Sequence, residues 1–84
     1  MRNNVFITPF VEAIHYHLHQ NEMPSVELSV RLKMSTEEFT QLMNGERRLD
    51  ENTANMLELI FCVPANEWLA LEQASHQITY MNQA

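Results

Sequence analysis

The residues best suited to binding a polyanion lie in the middle of the chain. Arg47 and Arg48 are adjacent, and with Arg31 and Lys33 they place four of the five lysine and arginine residues within residues 25–48. A guanidinium group donates hydrogen bonds to phosphate oxygens in a fixed fork, which makes an arginine pair a candidate phosphate contact. A solvated turn also accounts for adjacent arginines, since charged side chains are mostly exposed. Both interpretations stay open.

Two glutamates, Glu37 and Glu38, stand in the same segment, "MSTEEFTQLMNGERRL". A glutamate can accept a hydrogen bond from cytosine N4 in the major groove of DNA, and a glutamine such as Gln41 can pair with adenine. Glu38 also suits a structural role, because a serine at position 35 and a glutamate three residues later form the capping box of a helix start. The sequence therefore predicts either a base contact or a stabilised helix start, and Glu38 favours the second.

Histidines and a cysteine are the other side chains with possible chemistry. His15, His17 and His19 form "HYHLH", but only Glu12 stands near them at ligand spacing, so we expect a surface face or a pH-sensitive contact and no metal site. The single cysteine, Cys62, excludes an internal disulfide and is expected to be a small buried residue. The sequence holds no glycine-rich phosphate loop or serine elbow, so we expect neither an enzyme nor a cofactor.

Length and charge set further limits. The 84 residues, 45% of them hydrophobic, predict one small folded domain. The opening "MRNNVFITPF" is too short and polar for a signal peptide, and no apolar run approaches the ~20 residues of a membrane span, so we expect a cytoplasmic protein. The net charge is −6, and residues 49–84 contain acidic residues but no lysine or arginine. That last third suits a basic partner protein or a solvated face better than DNA.

The apolar spacing predicts an all-α fold with helices at about 9–20, 25–33, 36–44, 51–62 and 66–77, followed by a loose tail at 78–84. Thr8 is the expected N-cap of the first helix, with Pro9 in the first helical position. Asp50 is the expected N-cap of the fourth, and Gly45 is expected to end the third in a left-handed conformation.

The second and third helices, joined by a turn at Lys33–Met34 with a small residue at Ser29, form a helix-turn-helix candidate. The segments "RLKMS", "QLMNGERRL", "NTANMLELI" and "EWLALEQ" resemble the lambda-repressor-like (XRE) helix-turn-helix family, and within it the HigA-type antitoxins. The resemblance spans about Thr8 to Gln77. It implies a five-helix, usually dimeric domain that binds a palindromic operator, represses its own operon and in many cases neutralises a small ribonuclease toxin.

The resemblance also implies site residues. The base-reading positions are Thr36, Glu37 and Gln41, with Glu38 beside them on the same face. The phosphate-contacting positions are Ser25, Ser35, Asn44, Arg47 and Arg48. The expected dimer or partner interface is Trp68, Leu71 and Ile78, with the core as the other place for Trp68. Lys33 occupies a turn position that usually holds glycine, which predicts a left-handed backbone conformation there.

Two functions follow as expectations. The first is a sequence-specific DNA-binding transcriptional regulator, an antitoxin-type autorepressor that acts as a homodimer on double-stranded DNA. The second is an acidic protein-interaction module on the same fold, which neutralises a basic partner such as a toxin and binds DNA weakly or not at all.

Overall fold

The computed structural model describes the backbone of residues 8–82 and the side chains of residues 8–76. In that part of the chain five helices follow one another: α1 (Pro9–Gln20), α2 (Ser25–Arg31), α3 (Thr36–Asn44), α4 (Glu51–Phe61) and α5 (Ala65–Asn82). Residues 8–82 contain no strand, so the predicted all-α class is confirmed for them. Within the same range, no helix combines the length and the apolar character that a bilayer crossing needs.

The helix boundaries differ from the prediction mainly at the end of the chain. α2 ends two residues earlier than predicted and α4 one residue earlier, whereas α5 starts one residue earlier and continues to Asn82. The loose tail predicted at 78–84 is therefore wrong for residues 78–82, and residues 83 and 84 lie outside the described part. Residues 77–82 contain no glycine or proline, so no residue there interrupts helical geometry.

The core is one cluster of buried residues to which all five helices contribute, and α5 packs mainly against α1 and α4. Trp68 has no exposed surface, and the ring of Phe10 meets it edge-on with 6.1 Å between the ring centroids. Since a side chain wholly buried within one chain offers nothing to a partner, the prediction of Trp68 as an interface residue is wrong. Leu71 is half-buried and packs against the core, and the side chain of Ile78 lies outside the described residues.

The start of α1 is fastened both locally and across the fold. Thr8 caps the helix as predicted, because its hydroxyl accepts a hydrogen bond from the Val11 N–H at 3.2 Å. The Phe10 N–H donates instead to the Ser75 hydroxyl oxygen on α5, at 2.7 Å. That hydroxyl in turn donates to the Leu71 carbonyl at 2.8 Å. The buried serine therefore satisfies an amide that α1 cannot satisfy itself.

Within residues 8–82, three non-glycine residues adopt a left-handed backbone just after helices: Glu22 with φ 50°, Lys33 with φ 62° and Cys62 with φ 62°. The left-handed conformation predicted for Lys33 is confirmed. Cys62 ends α4 and is exposed, so the prediction of a buried cysteine is wrong. The inward position at that end of α4 belongs to Phe61, and the left-handed turn leaves the next side chain in solvent.

Candidate nucleic-acid interface

α3 is capped at both ends. The Ser35 hydroxyl accepts from the Glu38 N–H at 3.0 Å, and the Glu38 carboxylate accepts from the Ser35 N–H at 2.9 Å, so the predicted capping box is confirmed. At the other end Gly45 has φ 82°, and the Glu46 N–H donates to the Gln41 carbonyl at 2.9 Å. This is the Schellman arrangement, which closes a helix on a left-handed glycine. Hydrogen bonds therefore close both ends of α3.

α2 is tied to α3 by a tight turn. Ser29 is buried, and its hydroxyl donates to the Val26 carbonyl at 2.7 Å, within α2. The Met34 N–H donates to the Ser29 carbonyl at 2.9 Å, across the left-handed Lys33. A small residue at position 29 lets the two helices approach closely, as predicted for a helix-turn-helix. The turn therefore places the start of α3 beside the end of α2.

The outward face of α3 is entirely polar. Thr36, Glu37, Thr40 and Asn44 are exposed and Gln41 is half-buried, whereas the apolar residues of the helix face the core. These five positions fall on one side of a helix with 3.6 residues per turn. Three of them are the base-reading residues predicted from the sequence. Thr40 was missed, although its spacing of four residues from Thr36 and from Asn44 indicates the same face.

Three of the predicted phosphate contacts are accessible at helix ends. Ser25 is the exposed first residue of α2, Ser35 is the exposed N-cap of α3, and Asn44 is the exposed last residue of α3. The Ser35 oxygen already accepts the capping hydrogen bond, so its own O–H is the group left to donate. All three side chains can therefore reach a ligand outside the protein.

Arg47 is engaged with the start of α3. Its Nη2 lies 3.3 Å from Oε2 of Glu38, and both side chains are about two-fifths exposed, at 39% and 43%. The pKa of Glu38 is lowered, first by the hydrogen bond from the Ser35 backbone and further by the charge of Arg47. The same charge contributes to a lowered pKa of Asp50, although hydrogen bonds from Thr53 are the larger cause.

Arg48 is held by α5. Its Nε lies 2.9 Å and its Nη2 3.4 Å from the two carboxylate oxygens of Glu72, whose side chain is only 8% exposed. The Leu49 N–H donates to the same carboxylate at 3.4 Å. The hydrogen bond and the charge of Glu72 raise the pKa of Arg48. The Arg48 side chain is still 58% exposed, so the pair orients the guanidinium without covering it.

The role of Glu72 was missed by the sequence reasoning, which counted it as part of an acidic block. A signal was present, since Trp68, Glu72 and Ser75 stand three or four residues apart and share the buried side of α5. A carboxylate on the inward face of a helix requires a cation or a donor, because a buried unpaired charge is very costly. The burial of Glu72 therefore predicts that the carboxylate has a partner, but it does not identify Arg48 as that partner.

The interface carries little free positive charge. Arg31 pairs with Glu27 at 2.7 Å on α2, in addition to the pairs of Arg47 and Arg48. Among the side chains that the structure describes, Lys33 is the basic residue that lies outside an ion pair. A polyanion approaching α3 therefore meets side chains whose charges are already largely balanced.

The histidines lie apart from the polar face of α3. His15 and His19 are exposed and line a shallow groove between α1 and α2, together with Glu22. His17 is half-buried and stacks on the Phe61 ring, with 5.2 Å between ring centroids, so the expected surface position is wrong for this histidine. In the described part of the chain, no three histidine, cysteine, aspartate or glutamate side chains gather where they could hold a metal ion.

Comparisons of the chain with protein family models, with curated proteins and with solved structures found no match. A function is therefore inferred from the geometry of α2, α3 and the arginines that follow them.

Proposed function

We propose that the chain is a lambda-repressor-like, sequence-specific DNA-binding protein that inserts α3 into the major groove. The observation that carries the proposal is the outward polar face of α3, on a helix capped at both ends and fixed to α2 by a tight turn. The major groove of B-DNA admits an α-helix, and helix-turn-helix proteins read base edges with their second helix. A helix that is already formed and capped loses little freedom on insertion, which favours affinity.

The side chains on that face define what it can read. Gln41 suits adenine, Glu37 suits cytosine N4, and the Thr36 methyl suits thymine. The face has no arginine or lysine, the residues that most often contact guanine. We therefore expect direct recognition of adenine, thymine and cytosine edges, with guanine read only through its paired cytosine.

The phosphate contacts would come from the helix ends and from the arginines. Arg48 is oriented by Glu72 and more than half exposed, so donors of its guanidinium not bonded to Glu72 can bind a phosphate without breaking that pair. Ser25, Ser35 and Asn44 add neutral donors. These contacts would position α3, and the base contacts would supply the specificity.

As a homodimer the protein would bind a palindromic operator and repress transcription, including that of its own operon. An antitoxin role, in which the same chain neutralises a small basic toxin, is compatible with this DNA-binding function because it would use a different surface.

One observation favours a second candidate function, a protein-interaction module with little DNA binding. Residues 49–76 contain no lysine or arginine, and the arginines beside α3 are paired with carboxylates. Such a surface attracts a basic protein and repels a polyanion. In this case the chain would co-purify with a basic partner and bind no duplex.

The test is a fluorescence anisotropy titration with the DNA upstream of the reading frame and with an unrelated duplex, at several salt concentrations. We expect tight binding to the upstream DNA that weakens steeply with salt, because phosphate contacts release counterions. Replacing both Arg47 and Arg48 by Ala should weaken binding to both duplexes, whereas Gln41→Ala should reduce the preference between them.

Arg31→Ala is the matched control for the single change Arg47→Ala, since each removes one positive charge and breaks one exposed ion pair. Thermal melting of the double variant checks that loss of the pair between Arg48 and Glu72 has not unfolded the chain. Binding that is unaffected by the double arginine change would refute the proposed phosphate contacts. The absence of binding to any duplex, together with co-purification of a basic protein, would replace the first function with the second.

A further inference from the structure

We propose that Glu38 sets the strength of DNA binding by competing with a backbone phosphate for Arg47. This inference depends on the DNA-binding function proposed above and concerns one residue of that site. It assigns to Glu38 a second role beside the capping of α3.

The two carboxylate oxygens of Glu38 have different partners. Oε1 accepts the hydrogen bond from the Ser35 N–H at 2.9 Å, and Oε2 faces Arg47 at 3.3 Å. Glutamine also serves in a capping box, where its side-chain oxygen accepts the same N–H. Glu38→Gln therefore separates the two roles, because it keeps an acceptor for Ser35 and removes the charge that holds Arg47.

A phosphate can replace Glu38 as the partner of Arg47 more easily than it can replace Glu72 as the partner of Arg48. Arg47 makes a single long contact to Glu38, and both side chains are about two-fifths exposed. Exposed ion pairs of this kind contribute little to stability. Arg48 makes two contacts to Glu72, whose side chain is 8% exposed and also accepts the Leu49 N–H. A phosphate could displace the first carboxylate but not the second.

A phosphate is the stronger partner for Arg47. Its oxygens accept two parallel hydrogen bonds from one guanidinium, which is the favoured geometry for arginine. When Arg47 turns to the duplex, Glu38 loses its cation and is left near a second anion. Both the lost pair and the new repulsion reduce the affinity for DNA of any sequence, so Glu38 weakens phosphate binding rather than base recognition.

The experiment compares Glu38→Gln with Glu46→Gln, each in the wild-type chain and in Arg47→Ala, by anisotropy titration on the upstream duplex and an unrelated one. Glu46 is exposed and adjacent to Arg47 in sequence, so its replacement measures the effect of removing one negative charge nearby. We expect Glu38→Gln to bind both duplexes roughly two- to five-fold more tightly than Glu46→Gln, the range that corresponds to an exposed ion pair.

In the Arg47→Ala background the two glutamine variants should bind equally. An advantage of Glu38→Gln over Glu46→Gln that persists without Arg47, or that is absent in the wild-type chain, would overturn the competition. Circular dichroism and thermal melting check that Glu38→Gln keeps its helices.

A second measurement needs no substitution. NMR titration of the Glu38 carboxyl in the free chain and in the DNA complex should show a higher pKa in the complex, since Arg47 has left and phosphates have approached. An unchanged or lower pKa would contradict the proposal. If the wild-type chain binds DNA and these results fail, only the role of Glu38 is refuted; if it binds no duplex, the DNA-binding function itself is refuted.

Discussion

Replacing Ser75 by alanine removes the hydrogen bond that joins the first turn of α1 to α5. The Ser75 hydroxyl accepts from the Phe10 N–H at 2.7 Å, and Phe10 is 2% exposed. In Ser75→Ala that N–H loses its acceptor in a place that water does not reach. An unsatisfied buried donor costs about 1–3 kcal/mol.

The net effect should be somewhat smaller. Alanine has the higher helix propensity, which returns up to about 0.7 kcal/mol. We therefore expect Ser75→Ala to lower the free energy of unfolding by about 0.5–2.5 kcal/mol, which corresponds to a fall of roughly 2–20 °C in the melting temperature of a domain this small. The hydrogen bond from Ser75 to the Leu71 carbonyl lies within α5 and adds little, since that carbonyl is part of the helix.

The assay is urea unfolding followed by circular dichroism, with Ser29→Ala as the matched control. Ser29 is equally buried, but its hydroxyl donates to the Val26 carbonyl in its own helix, so its loss leaves no amide without an acceptor. We expect Ser29→Ala to change the free energy of unfolding by less than about 0.5 kcal/mol. A Ser75→Ala variant as stable as Ser29→Ala would show that the Phe10 N–H finds another acceptor, and the reasoning would be refuted.

Three further predictions concern charge and backbone geometry. The pKa values of Glu38 and Asp50 are lowered in the folded chain. The two carboxylates therefore contribute fully to stability above their ordinary pKa values, and this contribution is lost as the pH falls through the lowered ones. The urea concentration at the unfolding midpoint should drop between about pH 5 and pH 3, and it should drop less in Asp50→Asn. Arg48→Ala should destabilise the chain more than Glu72→Gln does, in thermal melts, because it leaves a buried carboxylate without its cation. Lys33→Gly should raise the free energy of unfolding by up to about 1 kcal/mol, since glycine relieves the left-handed backbone; a loss of stability would contradict that conformation.

The local features of this fold could be predicted from the sequence. Each cap consists of residues within a few positions of one another: Thr8 with Val11, Ser35 with Glu38, and the left-handed Gly45 at the end of α3. Their side chains and the backbone groups that they satisfy belong to the same turn, so a short window of sequence holds the whole interaction.

The long-range features could not be predicted. Ser75 meets Phe10 across 65 positions of sequence, and Arg48 meets Glu72 across 24. Composition indicated an acidic last third, but only the packing of α5 against α1 and α4 decides which of its polar residues face inward. The same packing places Trp68 in the core, although its size and hydrophobicity suit a core and an interface equally well.

The candidate site likewise has features that could be predicted from the sequence and features that could not. The resemblance to the helix-turn-helix family implied that Thr36, Glu37 and Gln41 share a face, and their spacing on a helix agrees with it. It could not show that Arg47 and Arg48, adjacent in sequence, have partners of very different exposure. That difference separates an arginine that can exchange its partner from one that is held in place.

The burial of Trp68 makes its fluorescence a measure of whether the chain is folded. It is the only tryptophan of the chain, it lies in the apolar interior, and the imidazole of His17 stands 5.7 Å from it between ring centroids. Its emission should be blue-shifted while the chain is folded and move to longer wavelength when the interior opens to water. A ligand that contacts only the outer face of α3 should leave the emission wavelength of Trp68 unchanged. Tryptophan fluorescence would therefore distinguish ligand binding from unfolding.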